Sequence, residues 1–350
     1  MNAGLVMDRT LASAVPGPMA WKGAELAASG SWVYHLPDTA LEDIDVALAA
    51  VCLRGLSVHE IGKADFPLPS IAPGLKVLLQ EIEKGRGFVL IRGVPVGRYA
   101  VDELEKIFWG IGTHFGTALA QNSSGERLLH VTDRGDQYGA TNVRGYTTRS
   151  GQQLHTDSAT DIVVLFCVRK AKSGGVSQIS SSMAVYNEFL ARYPPEYLDQ
   201  LYKGFHYDRR GEERPGVPSI TERPVPVFSY HAGRLSCYYS HITILQAARK
   251  SGRSLTELEA SVLDAFDEIA AREAMRLDMA LQPGDVQLLN NRTVLHARTG
   301  WEDHDDPQRK RLMLRLWLEP ADPWPLAADA WNVDGRGDRR GVPPKEAAGL

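Results

Sequence analysis

The residues that could do chemistry in this chain begin with a histidine and a carboxylate two positions apart. His155 and Asp157 lie in the segment Leu154-His155-Thr156-Asp157-Ser158. In an extended segment, residues two apart point to the same face, because side chains alternate with a period of two. An imidazole nitrogen and a carboxylate oxygen could therefore bind the same metal ion.

A second histidine lies far along the chain, where His296 ends the segment Asn290-Asn291-Arg292-Thr293-Val294-Leu295-His296. Two histidines and one carboxylate on one face of a metal, with other positions open, form the ligand set of non-haem Fe(II) oxygenases. A His-x-Asp pair alone is weak evidence in a chain with ten histidines. The prediction of a metal site on His155, Asp157 and His296 therefore depends on the residues around it.

A strictly alternating segment follows, Arg311-Leu312-Met313-Leu314-Arg315-Leu316-Trp317-Leu318. It has leucines on one face and two arginines on the other, and large groups on both faces fit poorly with a strand that has one face in solvent. Arginine binds carboxylates through two parallel hydrogen bonds. Arg311 and Arg315 therefore favour a cavity that receives an anion, although an edge strand with two solvated arginines would alternate in the same way.

The elements that must position these residues are mostly short strands separated by turns. Strands are predicted at 87–93, 162–168, 176–180, 205–207, 225–229, 235–239, 277–281, 286–289 and 311–319. Helices are predicted at 38–51, 75–84, 101–115, 183–193, 195–202 and 254–275. The last has a capping box of Ser254 and Glu257, and the polar stretch 118–153 is interpreted as a pocket wall or a mobile surface loop. The pattern predicts a mainly β protein with flanking helices around a double-stranded β-helix, or jelly-roll, core.

Composition narrows the class of protein. No clear linker divides the 350 residues, so we expect one domain over 1–350, with an N-terminal arm at about 1–37 and a C-terminal tail at about 320–350. A net charge of −4 gives no basic surface for nucleic acid or a membrane. Three scattered cysteines and no apolar leader favour a reducing, cytoplasmic location.

Taken together, these motifs resemble a known family. The order is His-Thr-Asp, then Gly174-Gly175-Val176-Ser177, then Asn-Arg-x-x-x-His, then Arg-x-x-x-Arg. This order is similar to that of the taurine dioxygenase (TauD/TfdA) branch of the Fe(II)/2-oxoglutarate oxygenases, and the resemblance extends from Gly87 to Trp317. Val176 departs from the family, which commonly has an acidic residue there, and taurine specificity does not follow.

The resemblance implies a role for each motif. His155, Asp157 and His296 would hold iron. Arg311 would pair with the distal carboxylate of 2-oxoglutarate, and Ser177 matches a threonine that bonds the same carboxylate. Arg315 would lie near the other end of the co-substrate or near an anion of the substrate.

The implied activity is that of a dioxygenase with Fe(II), 2-oxoglutarate and O2. It would hydroxylate an unactivated C–H bond of a small, possibly anionic or amino-acid-like, molecule and release succinate and CO2. Asp157 favours hydroxylation, because members of the family that chlorinate typically lack this carboxylate. Two alternatives remain at this point: a metal-dependent jelly-roll enzyme that does not use 2-oxoglutarate, and a non-catalytic module that binds a small acid. The expected partner is a small-molecule substrate, and a homo-oligomer is possible.

Overall fold

A computed structural model describes residues 10–140, 142–327 and 340–345. The α-helices of these ranges are α1 (Gly23–Ser29), α2 (Asp38–Leu53), α3 (Ala72–Lys84), α4 (Val101–Gly112), α5 (Ser182–Arg192), α6 (Pro195–Lys203), α7 (His241–Lys250) and α8 (Glu257–Ala271). The β-strands are β1 (Val33–His35), β2 (Phe88–Arg92), β3 (Thr117–Ala118), β4 (Leu128–Val131), β5 (Gln152–His155), β6 (Ile162–Arg169), β7 (Ser173–Gly174), β8 (Ser177–Ser181), β9 (Phe228–His231), β10 (Arg234–Cys237), β11 (Arg276–Met279), β12 (Val286–Asn290), β13 (Val294–Arg298), β14 (Trp301–Glu302) and β15 (Leu312–Glu319).

Two sheets of unequal size organise these strands. The larger has seven strands in the order β1-β2-β12-β6-β15-β3, with β4 also paired to β15. Its strands are antiparallel except for β1 and β2, which are parallel. The smaller has four antiparallel strands in the order β11-β8-β13-β5. Two separate antiparallel pairs complete the strands: β9 with β10, which form a hairpin, and β7 with β14, which are distant in sequence.

Helices cover the outer face of the larger sheet. The leucines of β15 belong to a buried cluster that includes Ile107 and Phe108 of α4. Phe108 stacks on Phe166 of β6 with 5.4 Å between ring centroids. Burial of each large aliphatic side chain contributes roughly 1.5–3 kcal/mol, so the alternating leucines fix which face of β15 points to the helices. Arg315 of the same strand must then point to the opposite face, towards the smaller sheet.

The inner faces of the two sheets share a second core. Val163 and Trp317 of the larger sheet and Ile179 and Val294 of the smaller one belong to one buried cluster. Helices α5 and α8 extend this cluster on the far side of the smaller sheet, for example through Phe266. The candidate site therefore lies between two sheets that are both backed by packed helices.

The described residues correct three expectations from the sequence. More of them lie in α-helices than in strands, so the chain is not mainly β but a mixture of sheets and helices. Helix α8 begins at Glu257, with Thr256 as its N-cap and Glu259 completing the capping box, instead of Ser254 and Glu257. The expected and observed capping boxes are two residues apart, and only Thr256 and Glu259 lie at the N-terminus of the helix. Strand β4 and helix α7 were not predicted.

The N-terminal arm holds more regular structure than expected, and the described part of the C-terminal tail is hydrogen-bonded to the body of the protein. The predicted arm contains α1 and β1, and its Trp21 is buried and donates a hydrogen bond to the Arg86 carbonyl at 2.8 Å. In the predicted tail, the backbone N–H of Gly341 donates to the Ala159 carbonyl at 2.7 Å. Residues 1–9, 328–339 and 346–350 of the arm and tail lie outside the described ranges. No helix of the described residues is long and apolar enough to cross a membrane.

Candidate active site and metal centre

Neighbouring strands of the smaller sheet bring the two predicted histidines together. His155 ends β5 and His296 lies in β13, and the two residues are direct partners in the strand register. Their ring centroids are 4.4 Å apart. One nitrogen from each ring and one carboxylate oxygen of Asp157 lie within 4.8 Å of one another. The structure therefore assembles the three residues that the sequence singled out as a possible metal site.

Asp157 reaches this cluster in a way that strand alternation does not explain. Strand β5 ends at His155, so Asp157 lies in the turn that follows it. The Asn291 side chain holds that turn: its oxygen accepts from the backbone N–H of Asp157 at 2.8 Å. Its amide nitrogen donates to the carbonyls of Asp157 at 2.8 Å and Thr160 at 3.0 Å. His155 and Asp157 therefore do lie on the same side, as predicted, but an asparagine five residues before His296 in the chain holds them there.

Each side chain of the triad is oriented by further contacts. His155 donates from Nδ1 to the carbonyl of Gln153 at 2.7 Å, which leaves the lone pair of Nε2 free to bind a metal. The indole N–H of Trp317 donates to Asp157 Oδ2 at 2.8 Å. His296 Nε2 lies 3.8 Å from the same oxygen. Its Nδ1 is buried and has no hydrogen-bond partner among the described residues.

The pKa values favour a set of metal donors at neutral pH. Burial lowers the pKa of His155, and burial with repulsion from His155 lowers the pKa of His296 to about 3. Both rings are therefore neutral and keep a lone pair. Burial alone would raise the pKa of Asp157, but the Arg315 guanidinium and the Trp317 hydrogen bond hold it below its ordinary value. Two neutral imidazoles and one ionised carboxylate suit a divalent first-row metal.

Arg315 lies against the triad and is itself held in place. Its Nη1 is 3.6 Å from Asp157 Oδ2, and its Nε donates to the side-chain oxygen of Gln121 at 2.7 Å. The Gln121 amide nitrogen donates in turn to the backbone carbonyl of Arg315 at 2.9 Å. Nη2 of Arg315 is buried without a partner among the described residues. One edge of this guanidinium is thus fixed, while another is available to an anion.

A cavity extends from the triad to Arg311, and we call it the inner cavity. Its walls include Ser177, His296, Arg298 and Arg311. Nη1 of Arg311 is buried without a hydrogen-bond partner among the described residues. Trp301 lies under both arginines, with the guanidinium carbons 4.4 Å (Arg298) and 4.6 Å (Arg311) from its ring centroid. Because a buried donor without a partner costs free energy, Arg311 is placed to receive an anion.

A second cavity also borders the triad, and we call it the outer cavity. His155 and Arg315 line both cavities, so the two meet at the candidate metal site. The walls of the outer cavity also include Tyr138, Arg144, Arg210, Tyr238 and His241.

Three further residues near the two cavities make defined contacts. Ser177 lines the inner cavity as expected, and its hydroxyl exchanges hydrogen bonds with Gln287 at 3.1–3.2 Å. His241 donates from Nδ1 to Asp267 Oδ2 at 2.6 Å, and Oδ1 of the same carboxylate accepts from the Tyr239 hydroxyl at 2.7 Å. Trp301 supports Arg311, and no sequence signal indicated this contact.

Comparison with known proteins identifies a family and relatives that this chain resembles. The model of the family described as taurine catabolism dioxygenase TauD, TfdA matches residues 53–317, more than half of the chain. The chain is 32% identical to FR-33289 synthase of Streptomyces rubellomurinus over 335 residues, which cover 93% of this chain and 98% of that protein. It is 27% identical to the taurine hydroxylase-like protein SAT17 of Stachybotrys chartarum, over 87% of this chain and 80% of that protein.

Two solved structures share the fold. An asparagine oxygenase in complex with Fe(II), a 3-hydroxyasparagine and succinate has a TM-score of 0.64 and 14% identity, over 84% of this chain and 98% of that one. The non-heme iron oxygenase OrfP, with Fe, succinate and a 3-hydroxyarginine, has a TM-score of 0.61 and 12% identity, over 83% of this chain and 94% of that one. At such low identity these likenesses show the fold alone. The extent of the family match and the 32% identity together show that the chain belongs to the taurine catabolism dioxygenase TauD, TfdA family and is an oxygenase.

Proposed function

We propose that the chain is an Fe(II)- and 2-oxoglutarate-dependent dioxygenase that holds one iron on His155, Asp157 and His296. The donor set fits this ion, since two neutral imidazoles and one carboxylate converge within 4.8 Å. Bound iron would supply the site at which O2 is activated at the expense of 2-oxoglutarate, which yields succinate and CO2. We also propose that residues 1–350 form one domain and that its two sheets form a double-stranded β-helix.

The inner cavity is the proposed site of 2-oxoglutarate. Arg311 would bind the distal carboxylate, because its buried Nη1 has no partner among the described residues and because arginine suits carboxylates. Ser177 would donate its hydroxyl to the same carboxylate after releasing the Gln287 oxygen that it now faces. Trp301 holds the Arg311 guanidinium flat by stacking on it. The residues of this chain thus orient the co-substrate and keep water from its binding site.

The outer cavity is the proposed site of a small-molecule substrate. It borders His155 and Asp157, so a molecule bound there would lie beside the metal. Hydroxylation of a C–H bond is the favoured outcome, because Asp157 is present as a third protein ligand. The solved relatives are consistent with a small substrate, since asparagine oxygenase and OrfP contain hydroxylated amino acids.

One observation supports this proposal above the others: two cavities meet at the triad, and each is lined by an arginine with a buried nitrogen that has no hydrogen-bond partner among the described residues. A non-catalytic module that binds a small acid would need only one such cavity. A metal enzyme without 2-oxoglutarate would not need Arg311.

The test is succinate formation from 2-oxoglutarate by protein reconstituted with Fe(II) without oxygen and then exposed to O2. The wild type should form succinate slowly without its substrate, and His155→Ala should form none. Arg311→Met should need a much higher concentration of 2-oxoglutarate, while Arg309→Met, an exposed arginine two residues away, should behave as wild type. Activity that survives Arg311→Met unchanged would contradict the proposed co-substrate site.

A further inference from the structure

The inner cavity has no exposed residue in its walls. Each of the described residues that line it is buried or half-buried. A molecule of 2-oxoglutarate, which the proposed function places against Arg311, must therefore reach this site through a neighbouring cavity. Two neighbouring cavities share lining residues with the inner cavity and give two routes from the surface.

The first route passes through the outer cavity. Of the described residues that line this cavity, Gln153 alone is exposed. Arg144, Arg210 and Arg315 also line it, and they would hold a dicarboxylate before it reached Arg311. A substrate bound in the outer cavity would close this route completely.

The second route begins at a third cavity, which we call the side cavity. It lies beside β7 and the segment that joins β11 to β12. Six of the residues that line it are exposed, namely Lys170, Lys172, Ser173, Gly174, Ala280 and Gln282. The side cavity therefore opens on the surface of the protein.

The wall between the side cavity and the inner cavity consists of three residues. Leu281, Arg311 and Met313 line both cavities. Met313 belongs to a small buried cluster, against which Leu281 packs, and this cluster is separate from the two large cores. Methionine is unbranched and has three rotatable side-chain bonds, and Leu281 is half-buried outside the strands. Rotation of these two side chains is enough to open the wall, without movement of a strand.

A turn without side chains passes Arg311 on the side of this cavity. Gly174 and Gly175 have φ values of +72° and +67°, in the left-handed region that glycine adopts readily. A Cβ at Gly175 would lie 3.2 Å from Arg311 Nε and 3.5 Å from Trp301 Cβ. The two glycines therefore keep the space beside the Arg311 side chain free.

The charged residues that line the side cavity are all basic among the described residues. Lys170 and Lys172 lie at the surface, and Arg311 lies behind them. Glu302 is near, since its carbonyl accepts from the Lys172 backbone N–H at 3.0 Å, but it does not line the cavity. A cleft with charges of one sign concentrates ligands of the opposite sign and raises their association rate. The side cavity therefore suits the entry of a dicarboxylate.

We propose that 2-oxoglutarate enters and succinate leaves through the side cavity, so that the co-substrate and the substrate have separate entrances. This inference rests on the proposed function, since it takes Arg311 to bind the distal carboxylate. Lys170 and Lys172 attract the dicarboxylate, and Met313 and Leu281 turn aside to admit it. The distal carboxylate enters last and stops at Arg311, next to the entrance. The outer cavity can stay filled while the co-substrate is exchanged.

The test measures how fast 2-oxoglutarate associates with the full chain, loaded with Fe(II) without oxygen, by stopped-flow tryptophan fluorescence. Trp301 stacks on Arg311 and therefore reports the arrival of the ligand. The slope and intercept of the observed rate against 2-oxoglutarate concentration give the association and dissociation rate constants.

One set of variants narrows each route in turn. Ala280→Trp narrows the side cavity at an exposed position that does not line the inner cavity. It raises the barrier in both directions, so both rate constants should fall at least about threefold and Kd should stay within about twofold. Ile242→Trp narrows the outer cavity and should leave the association rate constant within about twofold of wild type. Ala28→Trp, at an exposed position of α1 that lines none of the three cavities, is the control for an added tryptophan.

A second set of variants tests the attraction by the lysines. The double variant Lys170→Gln/Lys172→Gln should associate about three- to tenfold more slowly at low ionic strength. The difference should disappear near 1 M salt, where the Debye length is about 3 Å. Lys63→Gln/Lys84→Gln, at two exposed lysines elsewhere, changes the net charge equally and should associate at the wild-type rate. Because Lys170 and Lys172 are exposed, this test does not depend on the folding of Ala280→Trp.

Two results would overturn the inference: association that Ile242→Trp slows as much as Ala280→Trp does, or association that neither Ala280→Trp nor the loss of the two lysines slows. Calorimetric titration of 2-oxoglutarate into the wild type separates the two levels of the account. If the wild type binds 2-oxoglutarate and either result is obtained, the separate entrance alone is wrong. If the wild type does not bind 2-oxoglutarate, the proposed function is wrong.

Discussion

Replacement of Trp317 by phenylalanine would remove one hydrogen bond to the carboxylate of the triad and little else. The Trp317 indole N–H donates to Asp157 Oδ2 at 2.8 Å, and Trp317 is fully buried. The next donor to this oxygen, Nη1 of Arg315, is 3.6 Å away and too far to replace it. Phenylalanine keeps most of the aromatic packing but leaves the carboxylate free to rotate.

The expected loss of Fe(II) affinity follows from the charge of Asp157 and from the burial of its hydrogen bond with Trp317. A hydrogen bond to a charged group contributes about 1.5–3 kcal/mol. Groups that orient a metal ligand typically change metal affinity by about 10- to 100-fold when they are replaced. The two ranges agree, since 1.4 kcal/mol corresponds to about a tenfold change in an equilibrium constant. We therefore expect Trp317→Phe to weaken Fe(II) binding by about 10- to 100-fold at neutral pH.

The assay is equilibrium competition for Fe(II) between the protein and a chelator, without oxygen. Trp109→Phe is the matched control: Trp109 is also buried and donates its indole N–H, at 2.9 Å, but to the Ile61 carbonyl in the helical layer. Both variants should lose some stability to unfolding, and only Trp317→Phe should lose metal affinity. If a folded Trp317→Phe protein binds Fe(II) within twofold of wild type, Trp317 does not position Asp157.

Three further predictions concern stability. Asn291→Ala removes three buried hydrogen bonds of about 1 kcal/mol each, so urea unfolding should show a loss of about 3 kcal/mol, and a loss below 1 kcal/mol would contradict this role. Asp161→Ala leaves the buried guanidinium of Arg292, now 3.0 Å from Asp161, without its counter-charge. We expect a loss of about 3–5 kcal/mol by the same method, and a loss below about 1 kcal/mol would contradict this role. The metal-free protein should lose stability as the pH falls below about 6.5, because the lowered pKa values of His155 and His296 mean that the unfolded chain binds more protons than the folded one. The slope should be about 1.4 kcal/mol per pH unit for each histidine that stays neutral, and His296→Gln should reduce it measurably; an unchanged slope would count against the low pKa.

The sequence predicted the residues of the site better than the way in which they are held. The identity of His155, Asp157 and His296 followed from residue type and order, and the face of Arg311 and Arg315 followed from the alternating leucines between them. These signals are local, so a single sequence carries them. Their assignment as iron and co-substrate ligands remains a prediction that the experiments above test.

The supporting contacts were not predictable, because they join residues that are far apart in sequence and irregular in spacing. Gln121 bonds Arg315 from a distance of 194 residues, and Trp317 bonds Asp157 from 160. Arg144 and Arg210 lie in segments without periodicity, where no pattern indicates the direction of a side chain. Strand β4 was missed for a related reason: its four residues, Leu128–Val131, lie within a long polar stretch and gain their stability by pairing with β15.

The central claim is that one iron, held by the triad, is required for 2-oxoglutarate to bind in the inner cavity. The most direct test is calorimetric titration of 2-oxoglutarate into the full chain without oxygen, with and without Fe(II), for the wild type and for His296→Ala. The account predicts one 2-oxoglutarate bound per chain when Fe(II) is present in the wild type, and at least about tenfold weaker binding when Fe(II) or His296 is missing. Binding that is equally tight without Fe(II), or in His296→Ala, would contradict it.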